Sequence, residues 1–352
     1  MSDVARRGAA EPAPPASSDF ACACCAATEG RPAGTYSLPA RRAASGQQVT
    51  MTYPIAECCT CGHVQAHPPP AALDIAGYYR EGFWQDHGTA GTGVTDDADE
   101  VTWLSRVTAT SGLWERYQRA GRQLDFLTRS TDLRSDTIVI DLGSGYSPFL
   151  ARCAERGLTR LHALEPSPEV CAFLDRQSVI TYPVLLEEFV ERDDLPAFDV
   201  MVISHTVEHL VDPASVLMGL RRLLAPGGVI YVDVPYQDHL RPYHQGLHLQ
   251  FFNERSMSRL LERSGLDATV VDADTLGPAD RAVMQALYAV YGRFFGGRGG
   301  VGGSGRLEQL HRLVWRPLKR LLGLRVNIFI SSQDLRVLAG RASEHPAPDG
   351  AG

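Results

Sequence analysis

Three sets of side chains in this 352-residue chain are spaced for chemistry. The first is Asp141-Leu142-Gly143-Ser144-Gly145, an acid and two glycines directly after the β-branched apolar run Thr137–Ile140. The second is Cys22, Cys25, Cys58 and Cys61, two C-x-x-C pairs, and the third is His205, Glu208 and His209 within Ser204–Leu210 (SHTVEHL). The apolar run is fit for a strand buried on both faces. Ser147-Pro148 then supplies an N-cap and a first-turn proline for a helix Phe149–Arg156 that Gly157 stops. Strand, glycine turn and helix make half of a nucleotide-binding crevice. A dinucleotide fingerprint would need a third glycine where Pro148 stands. The Asp141 carboxylate would repel a pyrophosphate but suits an ammonium group, so the expected ligand joins adenosine to an amino acid.

S-adenosylmethionine (SAM) is such a ligand, and here the chain resembles the class I SAM-dependent methyltransferases, whose first motif is an acidic residue followed by a G-x-G turn. The third small residue of that motif is Ser147 in this sequence. The elements that must position it follow in order. Leu161–Glu165 reads as a second strand, and Glu165 falls at the ~20-residue spacing at which such an acid receives the ribose hydroxyls. Ser167-Pro168 opens the next helix, and Phe198–Ser204 reads as a fourth strand. Asp212-Pro213 caps a helix with Val216, Leu217, Leu220, Leu223 and Leu224 on one face, and Ala225–Gly228 turns into a strand Val229–Val234. Leu266–Val271 and Asp334–Arg341 supply sixth and seventh strands, with a helix Glu254–Ser264 before them. The segment LLAPGGVIYVDVP is similar to the family's "L-x-P-G-G" turn and fifth strand, and VEHLVDP to its "EH-x-x-dP" segment. The resemblance covers roughly Asp136 to Leu276. It implies a Rossmann-like, seven-stranded α/β class I methyltransferase domain with SAM held by Asp141, Gly143, Gly145, Glu165 and Ser204.

The balance of 34 basic and 41 acidic residues, a net charge of −7, opposes a phosphate-backbone partner and so disfavours nucleic acid. No run approaches the ~18 apolar residues of a spanning helix, and Arg6-Arg7 is followed by Ala, Pro and Ser in place of a signal core; the expected location is cytoplasmic. Six of the eight cysteines crowd into Cys22–Cys61, which in a reducing compartment argues for metal before disulfides. Cys22, Cys25, Cys58 and Cys61 have the spacing of paired knuckles around a structural zinc, with Cys24 and Cys59 spare and with His63 or His67 as substitute ligands. The same stretch, with Tyr53-Pro54, Cys61-Gly62-His63-Val64-Gln65 and Tyr78-Tyr79, resembles the zinc-binding N-terminal domain of sugar C-methyltransferases. That resemblance implies a module covering the substrate and a role in the active site for Tyr78 or Tyr79.

The expected organisation is a tail (1–19), a zinc-binding module (20–75), a helical linker roofing the SAM site (76–135) and the methyltransferase domain (136–342), then a short tail (343–352). An insertion at 277–333 holds a glycine-rich middle and a basic amphipathic helix, 307–322. Such a helix can lie on a membrane surface, although packing on its own domain is favoured. His244 and His248 are read as substrate contacts, with structural packing and a second metal as alternatives. Methyl transfer needs the acceptor placed near the methyl and its proton removed. Since similar sugar C-methyltransferases place a Glu-His pair at this segment, His209 is the expected base, Glu208 its support and His205 a pocket contact. The expected function is transfer of a methyl group to carbon or oxygen of a small-molecule acceptor, a nucleotide-linked sugar or natural-product intermediate. An RNA methyltransferase and a non-catalytic SAM-binding scaffold are the alternatives.

Overall fold

A computed structural model describes residues 19–41, 48–69, 102–108, 111–240, 247–273 and 334–341. Tyr78, Tyr79, His244, the insertion at 277–333 with its 307–322 helix, and the expected tails apart from Asp19 lie outside the described residues.

The strand read before the glycine turn is β4 (Ile138–Leu142), and its neighbours are β5 (Arg160–Leu164), β6 (Ile180–Tyr182), β7 (Phe198–Ser204), β8 (Leu224–Pro235), β10 (Leu266–Ala273) and β11 (Asp334–Arg341). They form a seven-stranded sheet in the order β10-β11-β8-β7-β4-β5-β6. β4 to β8 run parallel, and β11 is antiparallel to both β8 and β10. Val139, Ile140, Val200, Met201, Val202 and Ile203 are buried, as strands covered by helices on both faces require. The chain order reverses between β4 and β7, which opens a crevice at their carboxyl ends.

Helices fill the connections. α1 (Trp103–Thr108) and α2 (Ser111–Ser130) divide the stretch read as one helical linker. α3 (Pro148–Glu155), α4 (Pro168–Arg176), α5 (Leu186–Phe189), α6 (Pro213–Leu223) and α7 (Glu254–Arg263) follow. The caps read from sequence form at α3 and α6: Ser147 Oγ accepts from Leu150 N at 3.0 Å, and Asp212 Oδ1 accepts from Ser215 N at 3.1 Å. Ser167 makes no such side-chain bond. Leu224 is corrected from the α6 face to the first residue of β8, because it pairs with Phe198.

The cysteine-rich module is a separate four-stranded sheet, β1 (Gly30–Arg41), β2 (Gln48–Cys58), β3 (Val64–Ala66) and β9 (Gln250–Phe251), in that order. Its fourth strand comes from beyond β8, through the pairs Val64↔Phe251 and Gln65↔Gln250. The module's sheet is therefore not closed by residue 75. Tyr36, Tyr53, Ile55, Val64 and Ala66 share one core with Leu247, Leu249 and Phe251. Burial of these apolar groups is what fixes the segment around residue 248 against the module.

Candidate active site

The glycine turn is shaped by its backbone. Gly143 and Gly145 have φ of +76° and +53°, and a Cβ on Gly143 would meet Thr206 Oγ1 at 2.4 Å, so the first position admits no side chain. The turn is tied across the sheet: Gly143 N and Ser144 N both donate to Leu164 O, at 2.9 and 3.0 Å, and Gly145 N donates to Glu165 Oε2 at 2.9 Å. These amides brace the turn, and what the glycines offer at the crevice is close backbone approach.

Two buried carboxylates flank the turn, Asp141 and Glu165. Asp141 Oδ2 accepts from Ser147 Oγ at 2.7 Å. Burial pushes its carboxyl up to about 6, with the Ser147 hydrogen bond opposing and the charge of Glu165 adding to the rise. Glu165 Oε1 accepts from Ser167 N at 3.0 Å. Above the turn, Trp103 Nε1 donates to Tyr146 O at 2.9 Å, and the Arg106 guanidinium donates to Tyr146 Oη and lies 4.3 Å over its ring. α1 therefore roofs the turn.

α2 closes the other side of the crevice with residues that the helical periodicity alone did not single out. Gln123 Nε2 donates to Ser204 Oγ at 2.9 Å and to Asp233 Oδ2 at 2.6 Å. Arg119 donates to His205 Nε2 at 2.6 Å. A guanidinium can only donate, so that bond occupies the lone pair of a neutral His205 ring. Burial and then the charge of Arg119 hold His205 well below the ordinary histidine range. His205 also has φ +53°, a left-handed conformation held at the carboxyl end of β7, where its amide donates to Asp233 O at 2.8 Å.

One 3-10 turn, Val207–His209, carries the rest. Glu208 is buried, with Oε1 3.4 Å from His205 Nδ1 and 4.0 Å from His209 Nε2, and burial pushes its carboxyl up to about 8. His209 Nδ1 donates to Leu247 O at 2.6 Å. His248 packs edge-on to His209, ring centroids 4.9 Å apart, and its Nδ1 donates to Asp238 Oδ2 at 2.5 Å. The structure thus brings the expected Glu208 and His209 together with His248 and adds Asp238, Asp233, Arg119 and Gln123. The i,i+4 pairing of His244 with His248 lies outside the described residues.

In the cysteine module the four sulfurs of Cys22, Cys25, Cys58 and Cys61 lie within 4.8 Å of one another, with Cys22–Cys61 and Cys25–Cys58 both at 3.6 Å. A tetrahedral site with Zn–S bonds of ~2.3 Å has sulfurs about 3.8 Å apart, so the residues fit the metal. Both knuckles are backbone-closed, by Ala26 N→Cys22 O and Gly62 N→Cys58 O, each 2.9 Å. Cys24 is buried beside them and burial pushes its thiol up, as suits a spare residue, while Cys59 is exposed. His63 is no ligand in this arrangement: its Nε2 bonds Gln250 Oε1 at 2.8 Å. His67 stacks edge-on against Phe20, ring centroids 5.3 Å apart.

Sheet order, glycine turn and flanking acids define a Rossmann-like class I fold. Residues 113–271 match the family model of a methyltransferase domain, and with this sheet order the match supports a class I SAM-dependent methyltransferase. The chain is 23% identical over 184 residues to a ubiquinone biosynthesis O-methyltransferase of Neisseria meningitidis, covering 46% of this chain and 75% of that protein. It is 25% identical over 256 residues to the C-methyltransferase NovU of Streptomyces niveus, covering 63% of this chain and 58% of that protein's length. An S-adenosylmethionine-dependent methyltransferase structure from Mesorhizobium loti matches 62% of this chain and 96% of its own at 15% identity and a TM-score of 0.39. Among the described residues no helix is long and apolar enough to cross a membrane.

Proposed function

We propose that this chain transfers the methyl group of SAM to a carbon or oxygen of a small acceptor, of the nucleotide-linked sugar or natural-product class. The carrying observation is the convergence of Glu208, His209 and His248 at the carboxyl end of β7, beside the Asp141 turn and beneath the cysteine module. Of the two relatives, one is named for O-methylation and the other for C-methylation, which fits a small acceptor and leaves both atom types open.

SAM supplies the activated methyl, carried on a sulfonium. Asp141 faces its ammonium end and Glu165 its ribose, and these two buried acids on either side of a glycine turn fit a cationic, hydroxylated ligand. The acceptor's proton goes to His209 Nε2, because the Nδ1–H is committed to Leu247 O. Glu208, 4.0 Å from that nitrogen, supports the imidazolium in its ionised form. His205, its Nε2 taken by Arg119, contacts the acceptor without serving as base. The four cysteines hold a structural zinc that shapes the module and leaves no open position for chemistry.

A panel of nucleotide sugars, phenolic and polyketide acceptors and total RNA, offered with methyl-labelled SAM, tests the reading. Label should enter a small acceptor. Label entering RNA alone would overturn it, and binding of SAM with transfer to none of them would favour a scaffold.

A further inference from the structure

The side chains assigned to the acceptor carry a second property. Glu208, His209 and His248 each present a ligand atom, and the three atoms lie within 4.8 Å of one another. Glu208 is 1% exposed, and among the described residues neither of its carboxylate oxygens has a hydrogen-bond partner. A buried carboxylate that makes no hydrogen bond is costly, the nearest donor being His205 Nδ1 at 3.4 Å from Oε1, and a cation bound to it removes the cost.

Both imidazoles are already turned for such a cation. His209 Nδ1–H donates to a backbone carbonyl, Leu247 O at 2.6 Å, and His248 Nδ1–H to a carboxylate, Asp238 Oδ2 at 2.5 Å. These are the two partners that fix the tautomer of a metal-bound histidine and leave Nε2 as the ligand atom. His209 Nε2 is 4.0 Å from Glu208 Oε1, and bonds of ~2.0–2.2 Å to one ion would draw the ligand atoms together by side-chain rotation. His209 is only partly buried, so the cluster is not sealed from solvent. Two imidazoles and a carboxylate suit Zn²⁺ and its first-row neighbours, with a fourth position left open.

We infer that Glu208, His209 and His248 form a second metal site, separate from the cysteine cluster, that takes a divalent transition ion such as Zn²⁺. One consequence rests on the proposed function: an ion on His209 Nε2 takes the lone pair that removes the acceptor's proton, so filling this site stops methyl transfer.

The test uses the full chain stripped of metal under reducing conditions, with Zn²⁺ counted by equilibrium dialysis and elemental analysis and Co²⁺ as a spectroscopic probe. Wild type should bind two equivalents, one with thiolate-to-cobalt charge-transfer absorption and one with ligand-field bands alone. Glu208→Gln and His248→Ala should each lose the second equivalent and keep the thiolate spectrum. Glu208→Gln preserves side-chain shape, so it reads the site even if His248→Ala fails to fold. A single equivalent in wild type, or two retained in Glu208→Gln, overturns the site. Turnover is read separately: a second equivalent that leaves turnover unchanged supports the site and removes the base role of His209. Two equivalents in a chain that methylates no acceptor also support the site, and remove the proposed function alone.

Discussion

Tyr53, in the second strand of the cysteine module, donates its hydroxyl hydrogen bond to the backbone carbonyl of His248, 195 residues further along the chain. Asn253 reaches back in the same way, donating from Nδ2 to Gly62 O at 2.7 Å, and Gln250 Nε2 donates to Leu210 O at 2.9 Å. The module therefore holds the segment that carries His248 and supplies the Leu247 carbonyl to His209. Tyr53→Phe removes one such bond, with a net loss of about 1 kcal/mol. It should lower kcat/KM for the acceptor by about 3- to 10-fold while SAM affinity stays unchanged in calorimetry. The Cys58→Ser/Cys61→Ser double variant should lose the thiolate-bound zinc in metal analysis and lose turnover with it, although no cysteine touches the chemistry.

Asp141 should give SAM binding a pH dependence. Its carboxyl is raised to about 6 from 3.8, burial being the largest cause, so the ligand-free fold favours the protonated acid. The stability that this contributes is present below the unfolded value and is lost as pH rises through about 6. The SAM ammonium prefers the ionised form, which gives the opposite slope for binding. Affinity measured by calorimetry should climb as pH rises from about 5 to about 7 and then level off, by at most about tenfold per unit. Asp141→Asn should bind more weakly and show a flat profile; an unchanged profile would take the ammonium away from Asp141.

Glu165 holds both Gly145 N and Ser167 N while standing where the ribose hydroxyls are expected. Glu165→Ala should weaken SAM binding by about 1–3 kcal/mol, the range of lost charge-assisted hydrogen bonds. Calorimetry returning the wild-type dissociation constant would reject the assignment.

For His209 the expected signature is kinetic. His209→Ala should lower kcat by about 10²- to 10⁴-fold with SAM affinity nearly unchanged, since the loss is confined to the transition state. His205→Ala should cost less, because its ring is held by Arg119. A near-normal kcat in His209→Ala would move the base to another member of the cluster.

The sequence by itself determined the elements whose causes are local. An apolar β-branched run, a glycine turn that admits no Cβ, and a Ser-Pro helix start specify β4, the crevice turn and α3 within a dozen residues. The C-x-x-C pairs likewise specify two knuckles, since each closes on its own backbone. The short strand β6 was not legible, because three residues carry no period and His162↔Ile180 pairing with β5 makes them a strand. Nor was the fourth strand of the module, which exists only because Gln250 and Phe251 find β3. The hydrogen-bond partners inside the histidine cluster were decided by tertiary structure alone. His205, Glu208 and His209 are neighbours in sequence, yet Arg119 occupies one ring, Leu247 orients another, and Glu208 is left buried beside His248. Which nitrogen keeps its lone pair depends on donors and acceptors tens of residues away, and those meet only when apolar burial has docked the module on the sheet.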